Sequence, residues 1–274
     1  MSFGPLVSAD WLAAKHHDDV RIVDVRWYLD GRSGREAYLG GHLPGAVWLD
    51  ADRDLSAPAT PADGRHPLPT PEHFAAVLAR IGLAEGTPVV AYDDAGGSVA
   101  ARLWWMLHVQ GQPVAVLDGG LPAWPGPLVS DVPDFPAVDR AARPWPVDRF
   151  VTADEVAVST AAVYDARTAE RYAHGDPAID PRPGHIPGAR SAPWAGNLNE
   201  DGRFRPAAEL RQRYVDAGER GAVAYCGSGV TACHDLLAMT LAGIESTALY
   251  PGSWSQWGAD PSRPAEAGSG VLAP

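Results

Sequence analysis

The sequence is poor in cysteine and has no long apolar segment. It contains two cysteines, Cys226 and Cys233, whose short separation along a loop and helix does not suit a disulfide, and a working thiol persists best in a reducing compartment. No stretch approaches the roughly 18 apolar residues of a membrane span, and the first residues lack the basic and apolar regions of a signal peptide. We therefore predict a cytoplasmic protein with no membrane partner.

The sequence also has no excess of positive charge and no familiar cofactor motif. Its formal net charge of −12 argues against nucleic acid or an anionic membrane surface as a partner. No group of cysteines and histidines has the spacing of metal ligands, and no glycine-rich phosphate loop or dinucleotide fingerprint occurs. We predict no metal and no bound cofactor. An anionic substrate would need a local cluster of arginines.

What the sequence does contain is one pattern that occurs twice. Residues 90–93 (VAYD) and residues 223–226 (VAYC) each precede a glycine-containing loop and a helix-like segment. Upstream, residues 41–46 (GHLPGA) correspond to residues 184–189 (GHIPGA). Repetition on this scale indicates two copies of the same domain. Because a carboxylate cannot act as a thiolate nucleophile, Asp93 at the cysteine position makes the first copy catalytically inactive.

The two copies determine the predicted domains and fold class. We predict an N-terminal domain at residues 1–135, a proline-rich linker at 136–149 and a C-terminal catalytic domain at 150–274. Strands and helices alternate in both domains, which predicts an α/β fold with a parallel sheet flanked by helices in each. The predicted strands span residues 21–25, 88–92, 113–116, 162–165, 222–225 and 247–249, and the predicted helices span residues 71–81, 98–110, 206–217 and 230–242.

Cys226 lies where a predicted strand ends and a helix follows a short glycine-rich loop, residues 226–231 (CGSGVT). Such a loop directs successive backbone N–H groups toward one point, and the helix N-terminus adds partial positive charge, so a negative charge on the sulfur is favoured. We interpret Cys226 as a nucleophilic thiolate at the edge of the sheet where α/β folds bind ligands. The alternative is a buried cysteine that packs as a small hydrophobic residue.

The tandem repeat, the GHIPGA string, Asp93 and the CGSGVT loop together resemble the two-domain rhodanese sulfurtransferases over nearly the whole chain. The resemblance implies two tandem rhodanese-like domains. Within this family the loop is similar to that of the 3-mercaptopyruvate sulfurtransferases, whereas animal thiosulfate sulfurtransferases carry charged residues in a Cys-Arg-Lys-Gly loop. The distinction between the two subtypes depends on Gly227 and Ser228.

The resemblance implies a sulfur-transfer reaction through a persulfide. The Cys226 thiolate would take sulfur from 3-mercaptopyruvate, a small anionic donor, release pyruvate, and pass the sulfur to cyanide or to a thiol such as thioredoxin. Backbone N–H groups would stabilise the anionic sulfur, and the loop residues expected to bind substrate are Gly227, Gly229, Val230 and Thr231. Because the loop has no basic side chain, a donor with one carboxylate is favoured over dianionic thiosulfate. We expect a monomer.

In the enzymes that this chain resembles, two arginines bind the carboxylate of the donor. One belongs to an arginine–aromatic pair after the Asp-Xaa-Arg strand and the other lies just before the GHIPG turn. Arg171 and Arg182 occupy these places. Arginine suits the task because its planar guanidinium can donate to both carboxylate oxygens. Arg167 is expected to form a structural ion pair, since Arg26 has the equivalent place in the inactive copy.

The same enzymes carry a serine–histidine–aspartate relay for the thiol proton of the substrate, and the resemblance implies Ser228, His66 and Asp52. An imidazole can accept the proton of a hydroxyl group, and a carboxylate determines which ring nitrogen is free. Asp50 is an alternative to Asp52. Since the histidine and the aspartate lie in the first copy, the relay would explain why an inactive copy is retained.

Other functions and other residues have to be weighed against this interpretation. A cysteine phosphatase would need an arginine six residues after the nucleophile, where this chain has Ala232. A non-catalytic sulfur carrier would not need the intact loop. A thiosulfate sulfurtransferase, with thiosulfate as the main donor, stays open as the alternative within the same enzyme class.

His42 and His185 lie in matching turns of the two copies and are predicted to fix those turns.

Overall fold

The computed structural model describes residues 3–14, 20–60 and 62–268, apart from the side chain of Glu219. Contacts divide the chain into two compact units. A short segment from the first half of the sequence, Pro58–Pro67, belongs to the second unit. The domain boundaries predicted above, with a linker at 136–149, stay a prediction. The first unit comprises Met1–Ala57, Leu68–Trp145 and Glu200–Arg203, and the second comprises Pro58–Pro67, Pro146–Asn199 and Phe204–Pro274.

The first unit contains a parallel five-stranded sheet with helices between the strands. The strands are β1 (Leu6–Val7), β2 (Arg21–Asp24), β3 (Val47–Trp48), β4 (Val89–Tyr92) and β5 (Val114–Leu117), and the helices are α1 (Ala9–Ala13), α2 (Gly34–Gly40), α3 (Pro71–Arg80) and α4 (Ala100–His108). The strand order is β1-β5-β4-β2-β3, and neighbouring strands are parallel. Strands β4 and β5 are buried along their whole length, which is typical of a sheet covered on both faces.

The second unit contains a parallel four-stranded sheet of the same kind. Its strands are β6 (Ala162–Asp165), β7 (Arg190–Ser191), β8 (Ala222–Tyr225) and β9 (Thr247–Leu249), and its helices are α5 (Ala153–Ala157), α6 (Ala169–His174), α7 (Ala207–Arg213), α8 (Ala217–Arg220), α9 (Ala232–Leu241) and α10 (Ser253–Trp257). The strand order is β7-β6-β8-β9, again with parallel neighbours. The predicted α/β fold, with a helix-flanked parallel sheet in each copy, is confirmed.

The two sheets share one topology, as the sequence repeat predicts. The order β3-β2-β4-β5 in the first unit corresponds to β7-β6-β8-β9 in the second. The same buried ion pair follows the equivalent strands: Arg26 Nη2 lies 2.7 Å from Asp24 Oδ2, and Arg167 Nη2 lies 2.6 Å from Asp165 Oδ2. The structural ion pair predicted for Arg167 is therefore confirmed.

The histidines of the two matching turns have the structural role predicted for them. The ring of His42 stacks on Tyr38 with centroids 3.9 Å apart, and His42 Nδ1 lies 2.8 Å from the Tyr38 carbonyl oxygen. The ring of His185 stacks on Tyr172 at 3.6 Å, and its Nδ1 lies 3.1 Å from the Tyr172 carbonyl oxygen. Both histidines are buried, and each connects a helix to the turn that follows it.

Helix α9, which follows the cysteine loop, is a core helix. Its residues from Ala232 to Met239 are buried, so packing on several sides holds both the helix and the loop before it. Cys233 is fully buried in its first turn and packs there as a small hydrophobic residue. Among the helices of the described residues, none has the length and apolar character needed to cross a bilayer.

Candidate functional site

Cys226 is the first residue after β8, at the carboxyl end of the central strands of the second unit. Its side chain is 2% exposed, and the N–H of Gly229 donates to Sγ at 3.1 Å. Gly229 has a φ of 78°, and a Cβ atom there would lie 2.6 Å from the carbonyl oxygen of Pro251. Only glycine fits this combination of a left-handed backbone and a close approach. The turn that directs an N–H group at the sulfur therefore depends on Gly229.

A second segment, at the start of α10, holds the cysteine loop from outside. Ser253 Oγ accepts the N–H of Cys226 at 3.1 Å, and the N–H of Trp254 donates to the Cys226 carbonyl oxygen at 2.9 Å. The N–H of Ser255 donates to the Gly227 carbonyl oxygen, also at 2.9 Å. Ser253 has a φ of 52° although it is not glycine, a conformation that costs roughly 1–3 kcal/mol and is typical of functional sites. These bonds fix the backbone on both sides of the sulfur.

The equivalent loop of the first unit shows what this backbone binds. The Asp93 carboxylate is buried and accepts four backbone N–H groups at 2.8–2.9 Å. Burial raises the pKa of Asp93, and the four hydrogen bonds act in the opposite direction. A loop that directs several N–H groups at one carboxylate is an anion site. The donors are Ala95, Gly97, Val99 and Ala100.

Arg171 is held beside the cysteine loop by a carboxylate. Its Nε and Nη2 donate to the two oxygens of Asp180 at 2.9 and 2.5 Å. Burial alone would raise the pKa of Asp180, but the hydrogen bond and charge of Arg171 and the charge of Arg167 outweigh burial and lower the pKa. A Cβ atom at Gly227 would lie 2.9 Å from Arg171 Nη2 and 3.6 Å from Nη1. Asp180 binds the edge of the guanidinium formed by Nε and Nη2, and the edge formed by Nη1 and Nη2 therefore faces the loop.

Arg182, the second predicted arginine, also lies in the second unit. Its Nη2 donates to the carbonyl oxygen of Arg263 at 2.7 Å, and its own carbonyl oxygen accepts the Trp254 indole N–H at 3.0 Å. Its Nε is buried and has no hydrogen-bond partner among the described residues. Trp254 also donates its backbone N–H to Cys226, so Arg182 is connected to the loop through this tryptophan. Its role as a carboxylate ligand stays a prediction.

Two predicted relay residues are in contact. Ser228 Oγ lies 2.7 Å from His66 Nδ1, and both side chains are buried. Asp52 belongs to the first unit, where its Oδ2 accepts the indole N–H of Trp27 at 2.9 Å. The alternative aspartate, Asp50, accepts the backbone N–H of Asp52 at 2.9 Å, and burial raises its pKa. The choice of aspartate stays a prediction.

The other loop residues that were predicted to bind substrate have clear structural positions. Val230 is buried, and Thr231 precedes the first residue of α9 without capping that helix through its side chain. The carbonyl oxygen of Gly227 accepts the N–H of Ser255, and a side chain at Gly227 would meet arginine guanidinium groups. Among the described loop amides, Gly229 donates to the sulfur. Donation by the others to a transferred sulfur stays a prediction.

Sequence reasoning missed Arg65, which precedes His66. Its backbone N–H donates to Ser255 Oγ at 3.0 Å, and its Nη1 donates to the carbonyl oxygen of Ile179. A Cβ atom at Gly227 would lie 2.8 Å from its Nη2. The sequence feature that could have identified Arg65 is its position directly before a predicted relay histidine, because a residue next to a site residue lies close to the same site.

Known proteins support the same interpretation over the whole chain. A family model described as "Rhodanese-like domain" matches residues 8–126 and 152–260. A Pseudomonas aeruginosa protein named "Probable 3-mercaptopyruvate sulfurtransferase" is 42% identical over 98% of this chain and 100% of its own length. A Mycobacterium tuberculosis protein with the provisional name of thiosulfate sulfurtransferase SseB is 38% identical over 92% of each chain.

A solved structure agrees with these relatives. The crystal structure of SseA from Escherichia coli, whose title concerns the rhodanese fold and mechanism of 3-mercaptopyruvate sulfotransferases, has a TM-score of 0.80 and 32% identity to this chain. The match covers 93% of this chain and 99% of that one. Both sequence copies and both units therefore have counterparts in one family. The chain belongs to the rhodanese family and carries two rhodanese-like domains.

Proposed function

We propose that this protein is a sulfurtransferase that moves sulfane sulfur from 3-mercaptopyruvate through a persulfide on Cys226 to a thiol or cyanide, with release of pyruvate. The observation that carries the proposal is the loop after β8, in which a backbone N–H donates to the Cys226 sulfur. Relatives that match nearly the full length of the chain bear the name of this activity.

The first half-reaction forms the persulfide. The Cys226 thiolate attacks the sulfur of 3-mercaptopyruvate, the carbon–sulfur bond breaks, and the electron pair leaves with the carbon as the enolate of pyruvate. The thiol proton of the donor ends on the methyl group of pyruvate, so the persulfide keeps the single negative charge of the thiolate. In the second half-reaction the outer sulfur passes to the acceptor and the thiolate returns, which is a ping-pong scheme.

The loop suits both anionic states of the sulfur. The N–H of Gly229 donates to Sγ of the resting cysteine. The Asp93 carboxylate, which extends further than a cysteine sulfur, reaches four N–H groups in the equivalent loop. By analogy, the outer sulfur of a persulfide would reach further amides, among which we propose those of Gly227, Val230 and Thr231. Backbone donors that are already in place stabilise such an anion without reorganisation.

The arginines and the relay complete the proposed mechanism. Arg171 presents a free guanidinium edge at Gly227, where with Arg182 it would bind the donor carboxylate. Ser228 would take the thiol proton of 3-mercaptopyruvate and pass it to His66 through the 2.7 Å contact, with His66 Nδ1 as the acceptor. Asp52 is the carboxylate proposed to orient the histidine.

The acceptor and the location belong to the same proposal. A small thiol protein such as thioredoxin would collect the sulfur in the cell, and cyanide would do so in an assay. Such chemistry needs a reduced Cys226, so we propose a cytoplasmic location. We also propose that the enzyme is a monomer without a bound cofactor. Thiosulfate sulfurtransferase activity is the second candidate, because Arg65 places an additional guanidinium at Gly227.

The decisive experiment exchanges each cysteine in turn. Cys226→Ser should abolish thiocyanate formation from cyanide with both donors, and the purified variant should no longer gain the mass of one sulfur atom on incubation with 3-mercaptopyruvate. Cys233→Ser is the matched control, since Cys233 is the other buried cysteine, and it should keep both properties. Activity that survives in Cys226→Ser would reject the nucleophile. A large preference of the native protein for thiosulfate would support the second candidate.

A further inference from the structure

The guanidinium of Arg65 forms no ion pair with a carboxylate among the described residues, although the charge of Asp180 acts on it. Its Nη1 donates to a carbonyl oxygen, the backbone N–H of Arg65 donates to a hydroxyl oxygen, and its Nε is buried without a hydrogen-bond partner among the described residues. Arg171, by contrast, donates to Asp180 through two nitrogens. Burial lowers the pKa of Arg65, while the charge of Cys226 acts in the opposite direction. The arginine and the sulfur are therefore close enough to interact.

Such a cation is unfavourable until an anion reaches it, because burial removes part of its hydration. The backbone N–H of Gly229 already donates to the sulfur of Cys226. The proposed mechanism assigns Arg171 and Arg182 to the single carboxylate of 3-mercaptopyruvate. Arg65 is then left for a second negative charge, which a dianionic donor carries.

The guanidinium of Arg65 lies close against the cysteine loop at Gly227. A Cβ atom at Gly227 would lie 2.8 Å from Arg65 Nη2, closer than carbon atoms approach such neighbours in proteins. A larger residue at position 227 would therefore require the guanidinium of Arg65 to move. The positive charge beside Gly227 comes from a separate segment of the chain, Pro58–Pro67.

We propose that Arg65 is a specificity-determining residue that binds the second negative charge of a dianionic donor, so that the site uses thiosulfate as well as 3-mercaptopyruvate. The inference rests on the proposed function. With thiosulfate, the Cys226 thiolate attacks the outer sulfur, the sulfur–sulfur bond breaks, and sulfite leaves with the bonding pair. The persulfide carries one negative charge and sulfite two, so the step balances without a proton or an oxidant.

The test compares the two donors in variants of one position. Arg65→Gln removes the charge and keeps much of the side chain, and Arg65→Lys keeps the charge but loses the planar fork. Arg35→Gln, an exposed arginine of α2 in the first unit, is the matched control for loss of charge. Initial rates give kcat/KM for thiosulfate and for 3-mercaptopyruvate, and inhibition by the product sulfite gives a third reading that a purely structural role would not change selectively.

Arg65→Gln should lower kcat/KM for thiosulfate at least about tenfold more than kcat/KM for 3-mercaptopyruvate, the effect of losing one hydrogen bond to a charged group. It should also weaken inhibition by sulfite. Arg65→Lys should lie between Arg65→Gln and the native protein, and Arg35→Gln should match the native protein. The lysine variant keeps the test valid if the glutamine variant does not fold.

Two results would overturn the inference while the proposed function stands. One is an equal loss with both donors, and the other is a native protein that uses 3-mercaptopyruvate but not thiosulfate. Failure of the proposed function looks different, because the native protein would then form no Cys226 persulfide with either donor.

Discussion

The side chains of His66 and Ser228 are joined by a hydrogen bond of 2.7 Å, although 162 positions separate the two residues in the sequence. The histidine is 5% exposed and the serine 7% exposed, so water competes little for the bond, and a hydrogen bond in such surroundings is electrostatically stronger than in water. The histidine comes from Pro58–Pro67 and the serine from the loop after β8. The second unit therefore brings together two predicted relay residues from distant parts of the chain.

The first prediction concerns the donor dependence of this pair. His66→Asn should lower kcat/KM for 3-mercaptopyruvate about 100-fold, the usual contribution of a positioned acid or base, and should affect thiosulfate much less, because only 3-mercaptopyruvate carries a thiol proton. Ser228→Ala should show the same selectivity. Steady-state rates with both donors provide the measurement. His73→Asn, at an exposed histidine of α3, is the control, and equal losses with both donors in His66→Asn would contradict the relay.

The second prediction concerns the carboxylate that orients Arg171. Arg171→Ala should weaken the use of 3-mercaptopyruvate by about 1.5–3 kcal/mol, the value of a hydrogen bond to a charged group. Asp180→Asn should raise KM for 3-mercaptopyruvate more than it lowers kcat, since it leaves the guanidinium in place but removes its bidentate partner. The measurement is a full rate-against-substrate curve. Arg205→Ala, at a half-buried arginine of the same unit, should leave both constants unchanged, and normal kinetics in Arg171→Ala would remove Arg171 from the site.

The strands of three or four residues could be predicted closely because their apolar runs are buried. The strands at 162–165, 222–225 and 247–249 agree with the structure residue for residue. The strands β1, β3 and β7 were missed because each has two residues, too few to show a period. The predicted helix at 98–110 is shorter in the structure, from Ala100 to His108, and the N–H groups of Val99 and Ala100 at its start donate to the Asp93 carboxylate. Around Tyr214 the predicted helix at 206–217 is interrupted and continues as α8.

Parts of the site that are formed by neighbouring residues could be predicted from the sequence, and parts formed by distant residues could not. The cysteine loop is a contiguous strand–loop–helix, so its form could be read from neighbouring residues. The ion pair of Arg171 with Asp180 also lies within one short segment, yet Asp180 was not predicted because an isolated aspartate has no motif. The position of Arg65 at Gly227 depends on the path of Pro58–Pro67 within the second unit. No local pattern encodes such a path.

The third prediction is a loss of stability with rising pH that originates at Asp235. This carboxyl group is buried in α9, its Oδ1 accepts the amide N–H of Asn197 at 2.8 Å, and its Oδ2 has no hydrogen-bond partner among the described residues. Burial raises its pKa to about 7 against the opposing charge of Arg213. The folded protein therefore keeps a proton that the unfolded chain releases, and the free energy of unfolding falls as pH rises from about 4 to about 7.

Asp235→Asn should remove this part of the pH dependence. The difference between the ordinary pKa and about 7 corresponds to an upper limit of about 4 kcal/mol in the free energy of unfolding. The stability of the variant minus that of the native protein should therefore be larger at pH 8 than at pH 5. Urea unfolding at both pH values measures the effect. Asp201→Asn, at an exposed aspartate, should show no such gain. A constant difference between Asp235→Asn and the native protein would mean that Asp235 does not hold the proton.

The last prediction concerns Asp93, which takes the place of the nucleophile in the inactive copy. Its carboxylate accepts four backbone N–H groups of a buried loop, and removal of the carboxylate leaves these donors without an acceptor. At about 1 kcal/mol or more for each unsatisfied group, Asp93→Ala should destabilise the first unit by roughly 3–5 kcal/mol. Asp93→Asn should cost less, because it keeps one acceptor oxygen.

Thermal unfolding would measure the loss, and Asp30→Ala, which removes an exposed carboxylate from an ion pair with Arg32, is the control with little expected change. The persulfide formed per folded molecule should not fall in Asp93→Ala, because sulfur is carried by Cys226 in the other unit. A fully stable Asp93→Ala protein would show that the loop does not need an anion. In that case the Asp93 loop would give no support for stabilisation of the Cys226 sulfur by the equivalent loop.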